Sequence, residues 1–81
     1  MMDDTQIRAH IEQLVAEEHH LLERGETRSL TPEDRHRLEA LEVQLDQFWD
    51  LLRQRRARRD AHQDPSVAHL RDGDVVEKYQ Q

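Results

Sequence analysis

The sequence predicts an all-α protein in which two long helices form an antiparallel hairpin and a short helical tail follows. Three observations lead to this prediction. Apolar residues recur at helical spacing through about the first 60 positions, two segments begin with helix-capping sequences, and glycine and proline together account for only four of 81 residues. We expect the hairpin to occupy residues 1–62, with helices at about 4–24 and 32–61. Residues 63–81 form the tail, which packs on the hairpin or on a partner chain.

The first helix is predicted to run from Asp4 to Arg24. Asp3 suits the N-cap position, and Gln6, three residues later, completes a capping box. At about 100° per residue, six apolar residues then lie within an arc of roughly 120°. They are Ile7, Ile11, Leu14, Val15, Leu21 and Leu22. Gly25 fits the left-handed position that commonly terminates a helix, so we place the helix end just before it.

The second helix is predicted to begin at the segment Thr31–Asp34. This segment offers an N-cap threonine, a proline at the first helical position and two acids facing the positive end of the helix dipole. The apolar residues that follow are separated by alternating steps of three and four, the spacing of a coiled-coil seam. They are Leu38, Leu41, Leu45, Phe48 and Leu52. Nothing interrupts the pattern before Asp64-Pro65.

A connection of about six residues favours antiparallel pairing of the two helices. In that register Leu14 faces Leu41 and Ile11 faces Leu45, so the apolar positions coincide. In the tail, Asp64 is another candidate N-cap, and Pro65 follows it at the first helical position. Val75, Val76 and Tyr79 predict a short helix that lays an apolar patch on the hairpin.

A homodimer that forms a four-helix bundle is predicted because the apolar stripe is wider than one hairpin covers. Several apolar residues flank the seam and would stay exposed in an isolated hairpin. The residues predicted to form the interface are Phe48, Trp49, Leu51, Leu52, Val15 and Leu22. The alternative is a monomer closed by its own tail. Val43 and the glutamines at 44, 47 and 54 suggest that the central stretch of the second helix is also an interface.

A basic patch marks the end of the second helix. Residues 53–61 contain five of the 12 basic residues and one of the 18 acidic residues, in a chain of net charge −6. The arginines of the patch are Arg53, Arg55, Arg56, Arg58 and Arg59. A nucleic-acid contact is one interpretation. We favour the other, in which they complement the helix dipole and pair with Asp3, Asp4 or Glu12, because the patch is short and no aromatic platform interleaves the arginines.

Glu18 lies in the middle of the apolar arc of the first helix. A buried carboxylate without a partner is costly, so we expect Glu18 to find a partner or to reach water. The candidate partners are Arg35 and Arg37 near the start of the second helix, of the same chain or of a second one. The alternative is a general acid or base with a raised pKa. We favour a structural role in the bundle, because no second catalytic group converges on Glu18.

Several chemistries find no support in the sequence. The chain lacks cysteine, and with it thiol catalysis and cysteine-based zinc sites. Two Glu-x-x-His spacings, at Glu17 and Glu33, place their histidines away from the apolar stripes, so we predict no metal site. Glycine-rich phosphate loops and serine-nucleophile motifs are also missing. We therefore predict no catalytic residue, no cofactor and no enzyme activity. The acidic start and short apolar runs predict a cytoplasmic protein that does not span a membrane.

The segment LEVQLDQFWDLLRQRRA, residues 41–57, resembles the signature of a family of short actinobacterial proteins of unknown function. Asp64-Pro65, the stretch 75–79 and Glu17-Glu18-His19 fit the same pattern, so the resemblance covers nearly the whole chain. It implies helical structure and a cytoplasmic bacterial origin, and it supplies no activity, cofactor or site.

The leading functional hypothesis from the sequence is a non-enzymatic helical module that self-associates and docks on an unidentified protein. A nucleic-acid accessory protein that uses the basic patch is the second hypothesis. A bundle that binds a small molecule or a metal is the third.

Overall fold

The chain forms two long antiparallel helices and a helical C-terminal tail, as a computed structural model describes it for the backbone of residues 2–79 and the side chains of residues 2–77. Helix α1 spans Asp4–Thr27 and helix α2 spans Pro32–Asp60. The tail contains a 3₁₀ turn at Pro65–Val67 and helix α3 at Gly73–Tyr79. No strand occurs within residues 2–79. The predicted all-α class is therefore confirmed.

Both long helices begin at capping boxes. The Asp3 carboxylate accepts a hydrogen bond from the backbone N–H of Gln6 (2.8 Å), and the Gln6 side chain accepts one from the N–H of Asp3 (2.9 Å). Thr31 and Asp34 exchange the equivalent bonds at 3.1 and 3.2 Å. These reciprocal bonds satisfy N–H groups that a helix start otherwise leaves without partners. The hydrogen bond from the Thr31 N–H also lowers the pKa of Asp34.

The predicted end of α1 at Arg24 is wrong, because the helix continues through Gly25 to Thr27. Gly25 does not have a positive φ, so it does not act as a left-handed cap. A Cβ atom at this position would lie 3.3 Å from Cγ of Leu30. The missing side chain therefore makes room for the returning loop, which folds back against the last turn of α1.

Helix α2 ends in the left-handed cap that was expected for α1. Ala61 is the C-cap, and His62 has a φ of 59°. The N–H of Gln63 bonds to the carbonyl of Arg58 at 2.7 Å, and the N–H of His62 bonds to that of Arg59 at 3.0 Å. This is the Schellman pattern, formed here around a histidine instead of a glycine.

The core lies along the seam between α1 and α2. Its buried members on the two helices are Ile7, Ile11, Leu14, Leu21, Leu41, Leu45, Phe48, Leu51 and Leu52. Ion pairs across the seam join Glu17 to Arg37 and Arg24 to Asp34. Both pairs lie within about one helical turn of the positions that the predicted antiparallel register places opposite each other.

The tail packs on α2, and within the described residues it makes no comparable packing on α1. Val76 of α3 is 1% exposed, and Ala68 is also buried. A Cβ atom on Gly73 would lie 2.7 Å from Cγ1 of Val43, so α3 approaches α2 as closely as its first residue permits.

Polar side chains of α2 bind the segment that precedes α3. The Gln47 amide donates a hydrogen bond to the Arg71 carbonyl (3.1 Å), and the Gln54 amide donates one to the His69 carbonyl (2.8 Å). Asp50 is buried and lies 3.5 Å from the Arg71 guanidinium. The uncharged polar stretch of α2 is therefore an interface with the tail of the same chain.

Candidate functional site

The six residues predicted as a dimer interface differ in how far the single chain buries them. Phe48, Leu51 and Leu52 are buried within the single chain. Leu51 was expected to stay exposed in an isolated hairpin, and in the full chain it is 7% exposed, with the tail packed on that side of α2. Trp49 and Leu22 remain 47% and 50% exposed, whereas Val15 is partly buried against the core.

Trp49 and Leu51 lie on opposite sides of the seam, roughly 60° and 100° from its centre at the rotation of an α-helix. The tail packs on the side of α2 that carries Leu51, so the side that carries Trp49 stays open. On α1, Arg8, Val15 and Leu22 are seven residues apart and share one side of that helix. The open face of the hairpin thus combines these three residues with Trp49.

A depression of about 200 Å³ lies at one end of this open face. Arg8 of α1 lines it together with residues of α2, which are Trp49, Leu52, Arg53, Arg56 and Arg59. We call this set the Trp49 pocket. Trp49, Arg53 and Arg56 stand at positions i, i+4 and i+7, so helical geometry stacks them on one side of α2.

The electrostatics of the Trp49 pocket differ from those of the rest of the molecule. As far as the described side chains go, its lining contains four arginines and no carboxylate, in a chain of net charge −6. Among the described residues, Arg8, Arg53 and Arg56 form no ion pair, whereas Arg59 contacts Asp4 at 2.8 Å. Three guanidinium groups are therefore available to an anion beside an exposed indole ring.

The basic patch predicted from the sequence is divided by the fold. Arg53, Arg56 and Arg59 line the Trp49 pocket. Arg55 turns into the seam, where its side chain is 11% exposed, bonds to Asp4 and donates to the Pro65 carbonyl at 3.3 Å. Hydrogen bonds from Arg55 and then Arg59 hold the pKa of Asp4 below its usual value.

The predicted pairing of the patch with Asp4 is thus confirmed for two of its arginines. Arg58 faces away from the Trp49 pocket. It lines a separate polar depression with Gln54, Ala57, Gln63 and Arg71.

No aromatic residue is interleaved among the arginines of the basic patch in the sequence, and this was one reason for preferring the structural interpretation to a nucleic-acid contact. The fold nevertheless brings an aromatic residue beside them, because neighbours on a helix surface are one and two turns apart. Trp49 precedes Arg53 by four residues and therefore lies beside it on the helix surface. Arg8 was overlooked because it belongs to the other helix, although the predicted register already placed it near Trp49.

Glu18 does not occupy the buried position that its place in the apolar arc predicted. It is partly exposed, and no ion pair joins it to another described residue; Arg35 is exposed. Its neighbour Glu17 instead receives two hydrogen bonds from Arg37, one of them 2.8 Å long from Nη2. Glu17 and Arg37 lie on the same side of the seam, which lets them meet. Hydrogen bonding to Arg37 lowers the pKa of Glu17.

Other features of residues 2–79 offer less to a ligand. A larger and nearly flat depression is lined by Pro32, Glu33, His36, Arg37 and Ala40. Its one arginine is already bound by Glu17. The rings of His10 and Phe48 pack at a tilt of 45° with their centroids 4.5 Å apart. In this part of the chain no three histidine, aspartate or glutamate side chains are grouped so that they could hold a metal ion, and none of the helices has the length and apolarity needed to cross a bilayer.

Comparison with known proteins places this hairpin in a family. A family model described as a protein of unknown function (DUF2630) matches residues 3–81. The uncharacterized protein Rv0898c of Mycobacterium tuberculosis is 44% identical over 77 residues, which cover 94% of this chain and 88% of the relative. The uncharacterized protein Mb0922c of Mycobacterium bovis matches with the same identity and coverage. No solved structure gives a significant match. The resemblance seen in residues 41–57 is confirmed, and the chain belongs to the DUF2630 family of proteins of unknown function.

Proposed function

We propose that this protein is a non-enzymatic binding module that holds an anionic partner in the Trp49 pocket. One observation carries the proposal. A half-exposed tryptophan lines one pocket together with four arginines, and three of these arginines have no ion-pair partner among the described residues. Unpaired cations gathered on an acidic protein repel one another, and an anionic partner removes that repulsion.

The residue types suit recognition of carboxylate or phosphate groups. Arginine presents a planar fork of N–H donors that bonds both groups in a bidentate manner, and these charge-assisted bonds are stronger than neutral ones. Among the described residues, the lining of the Trp49 pocket offers no histidine, carboxylate or hydroxyl group. A bound anion would therefore have no general acid, general base or nucleophile beside it, which supports binding over catalysis.

Self-association into a four-helix bundle is a second candidate, and the exposure of Leu22 supports it. An isologous dimer centred on Trp49 is disfavoured, because the twofold axis would bring two sets of arginines together at a high cost in repulsion. A dimer through the Leu22 end of the open face avoids that repulsion. Sedimentation equilibrium tests it: we expect dissociation in Leu22→Ser, and a monomeric wild-type protein at high concentration would exclude this candidate.

The anion-binding proposal can be tested with the protein's own fluorescence. Trp49 is the single tryptophan of the chain, so its emission reports on this pocket alone. We expect titration with inorganic polyphosphate or polyglutamate at low salt to change the emission of Trp49, and added salt to reverse the change.

Two double variants are compared, and each removes two positive charges from a different end of the hairpin. The variant Arg53→Gln/Arg56→Gln should lose the response. The control Arg28→Gln/Arg35→Gln should keep it, since both of these arginines are exposed and lie at the opposite end. An emission spectrum that no polyanion alters at low salt would refute the proposal.

A further inference from the structure

We infer that the anionic partner is a single-stranded nucleic acid, with one base stacked on Trp49 and the flanking phosphates bound by the arginines of the pocket. The inference rests on the proposed function and specifies its partner. It depends on the juxtaposition of an exposed indole with guanidinium groups on both helices that have no ion-pair partner in the part of the chain that the structure describes. Aromatic platforms set in a positively charged groove are the means by which proteins bind single strands without reading their sequence.

The dimensions of the site suit a short stretch of backbone. Arg53 and Arg56 are three residues apart, which is about 4.5 Å along the axis of α2, and Trp49 lies about 6 Å before Arg53. Arg8 approaches from α1, whose axis lies roughly 8–10 Å away across the seam. Arginine side chains therefore lie near the indole both on α2 and, across the groove, on α1. A strand of two or three nucleotides spans these groups.

An unpaired base fits this pocket better than a duplex. The bases of a duplex are covered by stacking on both faces, so an indole at the surface of a rigid hairpin cannot reach them without unstacking a step. The bases of a single strand expose their faces. Stacking on an aromatic side chain then adds roughly 1–3 kcal/mol per base.

An acidic protein partner fits less well. Stable protein interfaces need an apolar centre that both partners bury. The apolar lining of the Trp49 pocket consists of the indole and of Leu52, which is already buried in the core. Carboxylates could satisfy the arginines but would leave the face of the indole ring without a matching surface.

The acidic remainder of the molecule limits where a strand can bind. The chain contains 12 basic and 18 acidic residues, and four of the basic ones line the pocket. The rest of the surface is therefore net negative and repels a polyanion, which confines binding to the pocket. Three unpaired arginines that each neutralise one phosphate predict a slope of about −2 for log K against log salt, at about 0.7 per phosphate for single strands. The affinity should therefore fall only moderately with added salt.

The test is a titration of the full chain into a fluorescently labelled oligothymidylate, followed by anisotropy of the label and by Trp49 emission. We expect saturable binding with quenching of Trp49 and a salt slope near −2. Trp49→Leu should weaken binding at least about tenfold. Trp49→Phe should weaken it less, because the phenyl ring still stacks on a base. Arg53→Gln/Arg56→Gln should reduce the slope to about −0.7, whereas Arg28→Gln/Arg35→Gln should bind as wild type does. Circular dichroism confirms that each variant is folded.

The controls separate this inference from the proposed function. If polyphosphate or polyglutamate binds as tightly as the oligothymidylate, or if Trp49→Leu binds the oligothymidylate as wild type does, the inference is overturned and the proposed function stands. Equal affinity for a duplex also overturns it, because a duplex offers no free base. If none of these polyanions binds at low salt, both are overturned.

Discussion

Replacing Val76 with alanine tests whether the tail is held on α2 by burial. Val76 is 1% exposed, whereas its neighbour Val75 in the same helix is 42% exposed. Removing two buried carbon atoms at about 0.8 kcal/mol each costs about 1.6 kcal/mol at Val76, and the remaining cavity adds to this cost. At Val75 about half of that burial is at stake. Both changes alter helix propensity equally, so the difference between the two variants, about 1–1.5 kcal/mol, isolates the docking of α3.

Urea unfolding followed by far-UV circular dichroism would measure this difference. With a slope near 1 kcal/mol per molar urea, the unfolding midpoint of Val76→Ala should lie about 1 M below that of Val75→Ala. Native-state hydrogen exchange should show faster exchange across α3 in Val76→Ala alone. Equal midpoints and equal protection in the two variants would refute the packing argument. A difference that grows with protein concentration would mean that the tail docks on a second chain.

Two further predictions concern charge. Asp4→Asn removes the carboxylate that binds Arg55 and Arg59, and it should cost about 1–2 kcal/mol at neutral pH. The arginines lower the pKa of Asp4, so the cost of Asp4→Asn should vanish as the pH falls through that lowered pKa. Urea titrations of both proteins at neutral and strongly acidic pH would measure the cost, and an equal cost at both pH values would contradict the prediction. Partial burial and then Asp46 raise the pKa of Glu77, so the docking of α3 should weaken as the pH rises through that raised pKa. Glu77→Gln should remove this weakening in hydrogen exchange of α3, and wild-type pH dependence in the variant would argue against it.

Local chemistry explains why the helix starts could be predicted and one helix end could not. Asp3 with Gln6 and Thr31 with Asp34 form reciprocal bonds within four residues, so the sequence contains every partner that they need. The end of α1 depends on Leu30, which packs against the place where Gly25 lacks a side chain. A glycine near a helix end serves either as a left-handed cap or as a site of close approach, and only the path of the loop distinguishes the two.

The residue types of the candidate site could be predicted from the sequence, but not which of those residues come together in one pocket. The arginines near residue 55 and the apolar residues flanking the seam were both visible in the sequence. Their division required the rotation of α2, which turns Arg55 toward Asp4 and Arg53 toward Trp49. The contribution of Arg8 required the register of α1 against α2.

The sequence by itself determined the all-α class, the antiparallel register and the two helix starts, because these depend on spacing and on contacts between near neighbours in the chain. The tertiary structure decided which side of α2 the tail covers. That choice buries Leu51 and leaves Trp49 open beside arginines of which three form no ion pair with any described residue. The physical reason is that both sides of the seam carry apolar residues, Trp49 on one and Leu51 on the other. The decision between them comes from distant partners, because the Gln47 and Gln54 amides bond to backbone carbonyls 24 and 15 residues away.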